Sequence, residues 1–286
     1  MTDRLAVLGS PIEHSRSPQL HRAAYDVLGL DWQYEAAEVR EQGLAHFLDG
    51  LDASWRGLSL TMPLKRAVVA LVDTASELVT LTGVANTVLL AEGRRRAFNT
   101  DVDGIRRALA ASGLTAIEGA VILGGGATAV SALVAAQRSG AARVAVVLRD
   151  PAKAGELVEL GNRLGVSVTR HRLGAFTPEF LPELVVNTIP AAAVGELAHP
   201  AELHSAVLFE ASYEPWPTPL ALLWAEAGST VVPGIDMLIE QALLQVRIFV
   251  AGDPDHPLAD EPAVLAAMRR AVGRSLGTPW SPPRAS

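Results

Sequence analysis

The stretch Val121-Ile122-Leu123-Gly124-Gly125-Gly126-Ala127-Thr128-Ala129 decides how this chain is to be read. An apolar run ends in three consecutive glycines and continues into small residues, so the pattern G-x-G-x-x-G/A stands between a predicted strand and a predicted helix. Gly124 makes the tight turn, Gly126 lets the backbone approach a pyrophosphate, and Ala129 permits close helix packing, while the helix N-terminus faces the anion. Taken alone, the pattern also fits a glycine-rich turn that serves only packing. Its surroundings decide. Apolar runs at Ala120–Leu123, Val144–Leu148, Val166–Thr169, Leu184–Asn187, Val207–Phe209 and Thr230–Val232 predict six strands, most of them separated by helical stretches. That alternation predicts an α/β fold with a doubly wound parallel sheet of the dinucleotide-binding type. The small apolar run from Ala120 to Ala136 has the composition of a membrane span, but its glycines fit a buried strand, a turn and a packed helix better.

The second of these strands ends in Leu148-Arg149-Asp150. At this place NAD proteins keep an acid for the ribose diol, and NADP proteins place a cation for the 2′-phosphate. Arg149 comes first and can fork onto a phosphate or stack over adenine. Asp150 lies two residues beyond the strand and can cap the helix that follows. The order favours NADP.

Upstream, from Arg4 to about Thr100, short apolar runs alternate with amphipathic stretches: Leu5–Leu8, Pro18–Leu28, Tyr34–Val39, Leu44–Leu51, Gly57–Leu60 and a helix from Pro63. Val84–Leu90, Gly93 and Arg96–Phe98 read as a hairpin, so a mixed sheet is expected here. Downstream, Ile235–Val250 and Pro262–Arg270 read as helices that return to this first domain. The expected division is a substrate domain of residues 1–101 completed by 235–275, a dinucleotide-binding domain of 102–234, and a disordered tail of 276–286.

Bulk properties narrow the function. The chain has 286 residues, 49% hydrophobic and 19% charged, with a net charge of −7. Such a chain can bury a core without a partner, and its mixed charges offer no field for nucleic acid or an anionic membrane. There is no cysteine, which excludes disulfide scaffolds, thiolate metal sites and cysteine nucleophiles, and suits a reducing cytoplasm. Met1–Leu8 is too short and too acidic for a signal peptide. No histidine or carboxylate cluster has metal-ligand spacing.

Four polar clusters of the first domain can carry chemistry. In Gly9-Ser10-Pro11-Ile12-Glu13-His14-Ser15-Arg16-Ser17-Pro18 the hydroxyls of Ser15 and Ser17 converge near a helix start that favours an anion, although Ser17 also reads as an N-cap. His14 and His21 read as structural. In Thr61-Met62-Pro63-Leu64-Lys65 a lysine sits on a first helical turn, where it opposes the dipole and can exchange a proton with a hydroxyl or ketone oxygen. Asn86-Thr87 lies in an apolar strand, and Asn99-Thr100-Asp101 precedes a helix from Val102 to Leu109. Asn86 can bond backbone alone and Asp101 can cap that helix, or both can belong to a site.

In this order the segments resemble the shikimate dehydrogenase family along nearly the whole chain. The resemblance continues through Asn187-Thr188-x-Pro190, Tyr213-x-Pro215 with Thr218-Pro219-Leu220, and Gly234-x-x-Met237-Leu238-x-x-Gln241-Ala242. It implies NADPH-linked interconversion of 3-dehydroshikimate and shikimate in a cleft between two domains, by a monomer or homodimer. It makes Lys65 and Asp101 the catalytic pair. It gives the substrate carboxylate to Ser15, Ser17 and Tyr213, and the ring hydroxyls or the lysine to Thr61, Asn86 and Gln241. Gly124, Gly126, Ala127, Thr128, Arg149, Thr188, Gly234 and Met237 are implied on the cofactor side. Departures from the family pattern are Ser59 and Leu148, where asparagine is usual, and Ala127 in the glycine turn. An NAD-preferring quinate or shikimate dehydrogenase and a non-catalytic metabolite sensor are the alternatives.

Overall fold

The computed structural model describes residues 3–190, 201–275 and 280. Two compact units separate, one of Met1–Gly104 with Leu238–Leu276, the other containing Ile105–Met237. The tail expected at 276–286 lies outside the described residues except for Trp280, whose ring meets that of Trp216 edge-on at 5.1 Å.

In the first unit six strands, β1 (Arg4–Gly9), β2 (Gln33–Glu38), β3 (Trp55–Leu60), β4 (Thr74–Ala75), β5 (Thr87–Ala91) and β6 (Arg94–Phe98), form one sheet in the order β2-β1-β3-β5-β6-β4. β2, β1 and β3 run parallel, whereas β5 is antiparallel to β3 and to β6, so the sheet is mixed. The hairpin turns at Glu92 and Gly93, with φ of 54° and 69°; two left-handed residues in a row match the twist of the flanking strands. The strand expected from Val84 starts only at Thr87: Ala85 N donates to Lys65 O in the turn after β3, outside the ladder, and only from Asn86 does the backbone bond the flanking strands, its N–H donating to Phe98 O and its carbonyl accepting from Leu60 N. β4 has two exposed residues and no apolar signature.

Alternate residues of β1 serve two cores, which is why Leu5–Leu8 reads as an unbroken apolar run. Leu5 and Val7 pack with Leu20, Ala24 and Tyr25 of the helix Ser17–Leu28, with Leu243, Val246 and Phe249 of the helix Gly234–Ala251, and with Val264 and Met268 of the helix Glu261–Ala271. Ala6 and Leu8 face the other way, onto Leu44, Leu48, Leu64, Val68 and Val79. Each fully buried leucine contributes about 1.5–3 kcal/mol. The helix expected from Pro63 is only the four-residue turn Leu64–Ala67, followed by a 3-10 turn Val68–Leu71.

The second unit holds β7 (Gly119–Leu123), β8 (Arg143–Leu148), β9 (Ser167–Arg172), β10 (Leu184–Asn187), β11 (Val207–Glu210) and β12 (Val231–Pro233), in the order β12-β11-β10-β7-β8-β9. Every neighbouring pair is parallel. Numbered within the unit this is 3-2-1-4-5-6, the doubly wound order in which the direction of winding reverses between β7 and β10. β9 runs to Arg172 rather than stopping at Thr169, because an edge strand tolerates the exposed Arg170 and Arg172 that break the apolar pattern. The helix Ala127–Arg138 buries every residue from Ala129 to Ala136, small side chains that let it lie close on the sheet. Among the described residues no helix is long and apolar enough to cross a membrane.

Candidate active site

Topology gathers the polar clusters of the first unit. β1 and β3 are parallel, β5 reverses and β6 reverses again, so the ends of β1, β3 and β6 and the start of β5 lie at one end of the sheet. The loop after β1 and the turn after β3 are tied by Ser10 N donating to Met62 O at 3.0 Å and Thr61 N to Leu8 O at 2.9 Å. Ala85 N donates to Lys65 O at 2.8 Å, which ties that turn to the segment entering β5.

There Lys65 Nζ meets Asp101 Oδ2 at 2.6 Å, with the lysine side chain 14% and the aspartate 2% exposed. These residues are 36 apart in sequence. The other carboxylate oxygen, Oδ1, accepts from Asn86 Nδ2 at 2.8 Å. Asp101 begins the helix Asp101–Ala111, whose dipole favours a negative charge at that end. Its carboxylate therefore belongs to the cluster, and the plain capping reading gives way. The dipole penalty expected for Lys65 is small, since its helix has four residues.

Asn86 is the hinge of this cluster. Its Nδ2 also reaches Thr100 Oγ1 at 2.8 Å and Gln241 Oε1 at 3.1 Å, while its Oδ1 accepts from Thr100 N at 2.9 Å and from Thr87 Oγ1 at 2.8 Å. Gln241 donates Nε2 to Leu238 O at 2.9 Å, which leaves its Oε1 as the acceptor facing Asn86. Ser15 Oγ accepts from Ser17 N at 3.3 Å. Ser17 is not the N-cap: the cap position is Arg16, with no side-chain bond, and Ser17 is buried one residue inside the helix. Thr61 stands against Gly9, where a Cβ would collide with its methyl group.

A deeper set of polar residues supports Asn86, and the sequence pattern does not reveal it. Gln245 donates Nε2 to Asn86 O and to Thr87 Oγ1, both at 3.0 Å. Its Oε1 accepts from Ser59 Oγ at 2.8 Å and faces His21 Nε2 at 3.2 Å. Tyr34 OH donates to Ser59 Oγ at 2.6 Å, and Tyr25 OH lies 3.1 Å from His21 Nδ1. Because Asn86 O can only accept, the amide orientation of Gln245 is fixed, and His21 must carry its proton on Nε2 and accept from Tyr25 at Nδ1. Burial pushes His21 down to about 3 from 6.5, against a smaller opposing effect of the Gln245 bond, so the ring is neutral at ordinary pH. Burial likewise raises the Tyr34 phenol above its usual range.

In the second unit the glycine turn follows β7. Gly124 has φ of 109°, and a Cβ there would run into Thr188 Oγ1, itself held by donating to Leu123 O at 2.9 Å. Nothing lies within 4 Å of a Cβ placed on Gly126. No side chain caps the helix that starts at Ala127, so the N–H groups of its first turn, with Thr128 beside them, are available to an anion. These features fit a bound dinucleotide. Asp150 Oδ1 accepts from Ala152 N at 3.1 Å and caps the turn Pro151–Ala154, and Arg149 is exposed beside it. At the end of β11, fully buried Glu210 accepts from Asn187 Nδ2 at 2.9 and 3.0 Å, from Ser212 N at 3.1 Å and from Thr218 Oγ1 at 3.2 Å. Burial raises its carboxyl pKa, partly offset by those donors. This residue, which motif reading misses, holds the turn carrying Thr188 and the loop carrying half-buried Tyr213. Gly234 sits so close to Ala211 O that any side chain is excluded, and Met237 is 8% exposed. Among the described residues no group of three or more His, Asp or Glu could hold a metal ion.

Comparison with known proteins gives a consistent result. Residues 7–88 match the family described as Shikimate dehydrogenase substrate binding domain. The shikimate dehydrogenase (NADP(+)) of Caulobacter vibrioides is 35% identical over 247 residues, 83% of this chain and 86% of that protein. The crystal structure of Mycobacterium tuberculosis shikimate dehydrogenase superposes with a TM-score of 0.81 at 39% identity, covering 93% of this chain and 98% of the other. The Thermus thermophilus shikimate 5-dehydrogenase, solved in complex with NADP(H) and shikimate, gives 0.78 at 32% identity, covering 94% and 100%. With relatives this similar along most of its length, the chain belongs to the shikimate dehydrogenase family.

Proposed function

We propose that this chain catalyses the reversible reduction of 3-dehydroshikimate to shikimate with NADPH. The observation that carries the reading is the Lys65–Asp101 pair at 2.6 Å, fixed by Asn86 at the sheet end where Thr61 and Gln241 also gather. When bound, NADPH supplies the hydride for the carbonyl carbon. Lys65 Nζ, held as an ammonium, gives a proton to the carbonyl oxygen as that oxygen becomes a hydroxyl; in the reverse direction the neutral amine takes the proton back. Asp101 keeps Nζ in place through Oδ2, and Asn86 keeps Asp101 in place through Oδ1.

In this proposal Ser15, Ser17 and Tyr213 bond the substrate carboxylate, and Thr61, Asn86 and Gln241 bond ring hydroxyls. Gly124, Gly126, Ala127 and Thr128 hold the pyrophosphate, Arg149 the 2′-phosphate, and Thr188, Gly234 and Met237 the nicotinamide side. A cytoplasmic enzyme acting as a monomer or homodimer is part of the same proposal; the lack of cysteine suits a reducing compartment.

The test is a panel of rates read from the loss of nicotinamide absorbance, with NADPH or NADH against 3-dehydroshikimate or 3-dehydroquinate. The highest kcat/KM is expected for NADPH with 3-dehydroshikimate. A higher value for NADH with 3-dehydroquinate would replace this reading by a quinate dehydrogenase, and metabolite binding without turnover would replace it by a sensor.

A further inference from the structure

The preference for a phosphorylated cofactor rests, in the function proposed above, on Arg149 alone, and an acid follows it in the chain. We infer that Arg172 is a second residue of the 2′-phosphate site and that it sets, with Arg149, the discrimination between NADPH and NADH. Three observations place it there. First, β8 and β9 pair with Leu148 opposite Arg172, so the two side chains leave the sheet on the same face. That face carries the glycine turn, since a Cβ on Gly125 would meet Leu148 Cδ2 at 2.9 Å.

Second, Arg172 Nη1 donates to Arg149 O at 3.0 Å. The guanidinium is therefore held over the turn that follows β8, and it fixes the backbone that carries Arg149. One of its five N–H groups makes that bond, and its planar fork keeps donors for a phosphate. Third, one oxygen of the acid in the turn is already engaged: Asp150 Oδ1 accepts from Ala152 N at 3.1 Å, which ties the carboxylate to its own helix start. Lys153, exposed on the same turn, adds positive potential.

The spacing suits this role. β9 lies two strand separations, about 10 Å, from the strand that carries the glycine turn. The adenosine half of a dinucleotide runs from that turn towards the end of the second strand of such a sheet, so a phosphate on its ribose comes towards the β8–β9 edge. The competing explanation is that Arg172 is a charge that merely protects an edge strand from pairing.

The probes are adenosine 2′,5′-bisphosphate and adenosine 5′-monophosphate, titrated calorimetrically into the full chain and into Arg172→Gln and Arg172→Lys. Arg172→Gln is expected to weaken the bisphosphate about tenfold, the loss of one charge-assisted bond, and to leave the monophosphate unchanged. The ratio of kcat/KM for NADPH over NADH falls in parallel, and Arg172→Lys recovers part of both. Equal weakening of the two nucleotides, or of neither, would overturn the inference. Because the titrations need no turnover, they remain decisive even if 3-dehydroshikimate proves not to be the substrate.

Discussion

Gln245 is a single amide on a helix whose other inward residues are mostly apolar, and in sequence it resembles any polar residue of an amphipathic helix. Its partners Ser59 and His21 lie 186 and 224 residues away, a separation at which no local pattern carries information. Lys65 and Asp101 are legible for a different reason: each stands beside a helix start in a cluster of polar residues, where chemistry leaves a local trace. His21 reads as structural from its lack of an acid partner, and its burial gives that reading a measurable consequence. Between its free value of 6.5 and its folded value of about 3, the unfolded chain binds a proton that the folded chain refuses. This contribution to stability is complete above about pH 6.5 and declines as pH falls towards 3, by up to about 1.4 kcal/mol per pH unit. Glu210, whose folded value is raised, works in the opposite sense, so the His21 effect must be isolated by substitution. Urea unfolding of the parent and of His21→Gln at pH 7 and pH 5 is expected to show a steeper loss for the parent. Parallel losses would mean that the ring is not excluded from protons in the fold.

At the scale of elements, the strand-turn-helix at Gly124 is legible because each of its residues is fixed by local geometry. Asp150 has two readings in the sequence, and the turn Pro151–Ala154 shows one of them, with Oδ1 used as a cap. The start of β5 differs from the expected one because Val84 and Ala85 are buried outside the ladder, and burial alone imitates a strand. Two glycines of the turn make opposite predictions. Gly124→Ala forces a side chain into a left-handed conformation against Thr188 Oγ1, and thermal unfolding is expected to show a loss of roughly 1–3 kcal/mol. Gly126→Ala meets nothing within 4 Å and has an ordinary φ of −81°, so the melting temperature is expected to stay while NADPH affinity, followed by nucleotide fluorescence, falls at least about tenfold, because the new methyl would occupy the space proposed for the pyrophosphate. A Gly126→Ala variant that binds NADPH normally would remove the pyrophosphate from this turn.

Across the whole molecule, the six parallel strands of the second unit are the most legible part, since strands buried on both faces appear as continuous apolar runs. The first unit is discontinuous in sequence, and its core depends on the segment from Leu238 onward. Phe249 is fully buried there, with Gly57 against its ring, and Phe249→Ala is expected to cost about 3–5 kcal/mol in urea unfolding; a cost below about 1 kcal/mol would show that this segment does not complete the core. The same segment supplies Gln241 and Gln245, so the packing of the first unit and the orientation of the proposed catalytic pair, Lys65 and Asp101, have a common origin. The most direct test of that pair is single-turnover reduction of 3-dehydroshikimate by NADPH in the parent and in Lys65→Met, each checked for folding by circular dichroism and for NADPH binding. The rate in the variant should fall by roughly 10²–10⁴ with NADPH binding retained, whereas a folded, NADPH-binding variant that reduces the ketone at the parental rate would contradict proton transfer by Lys65.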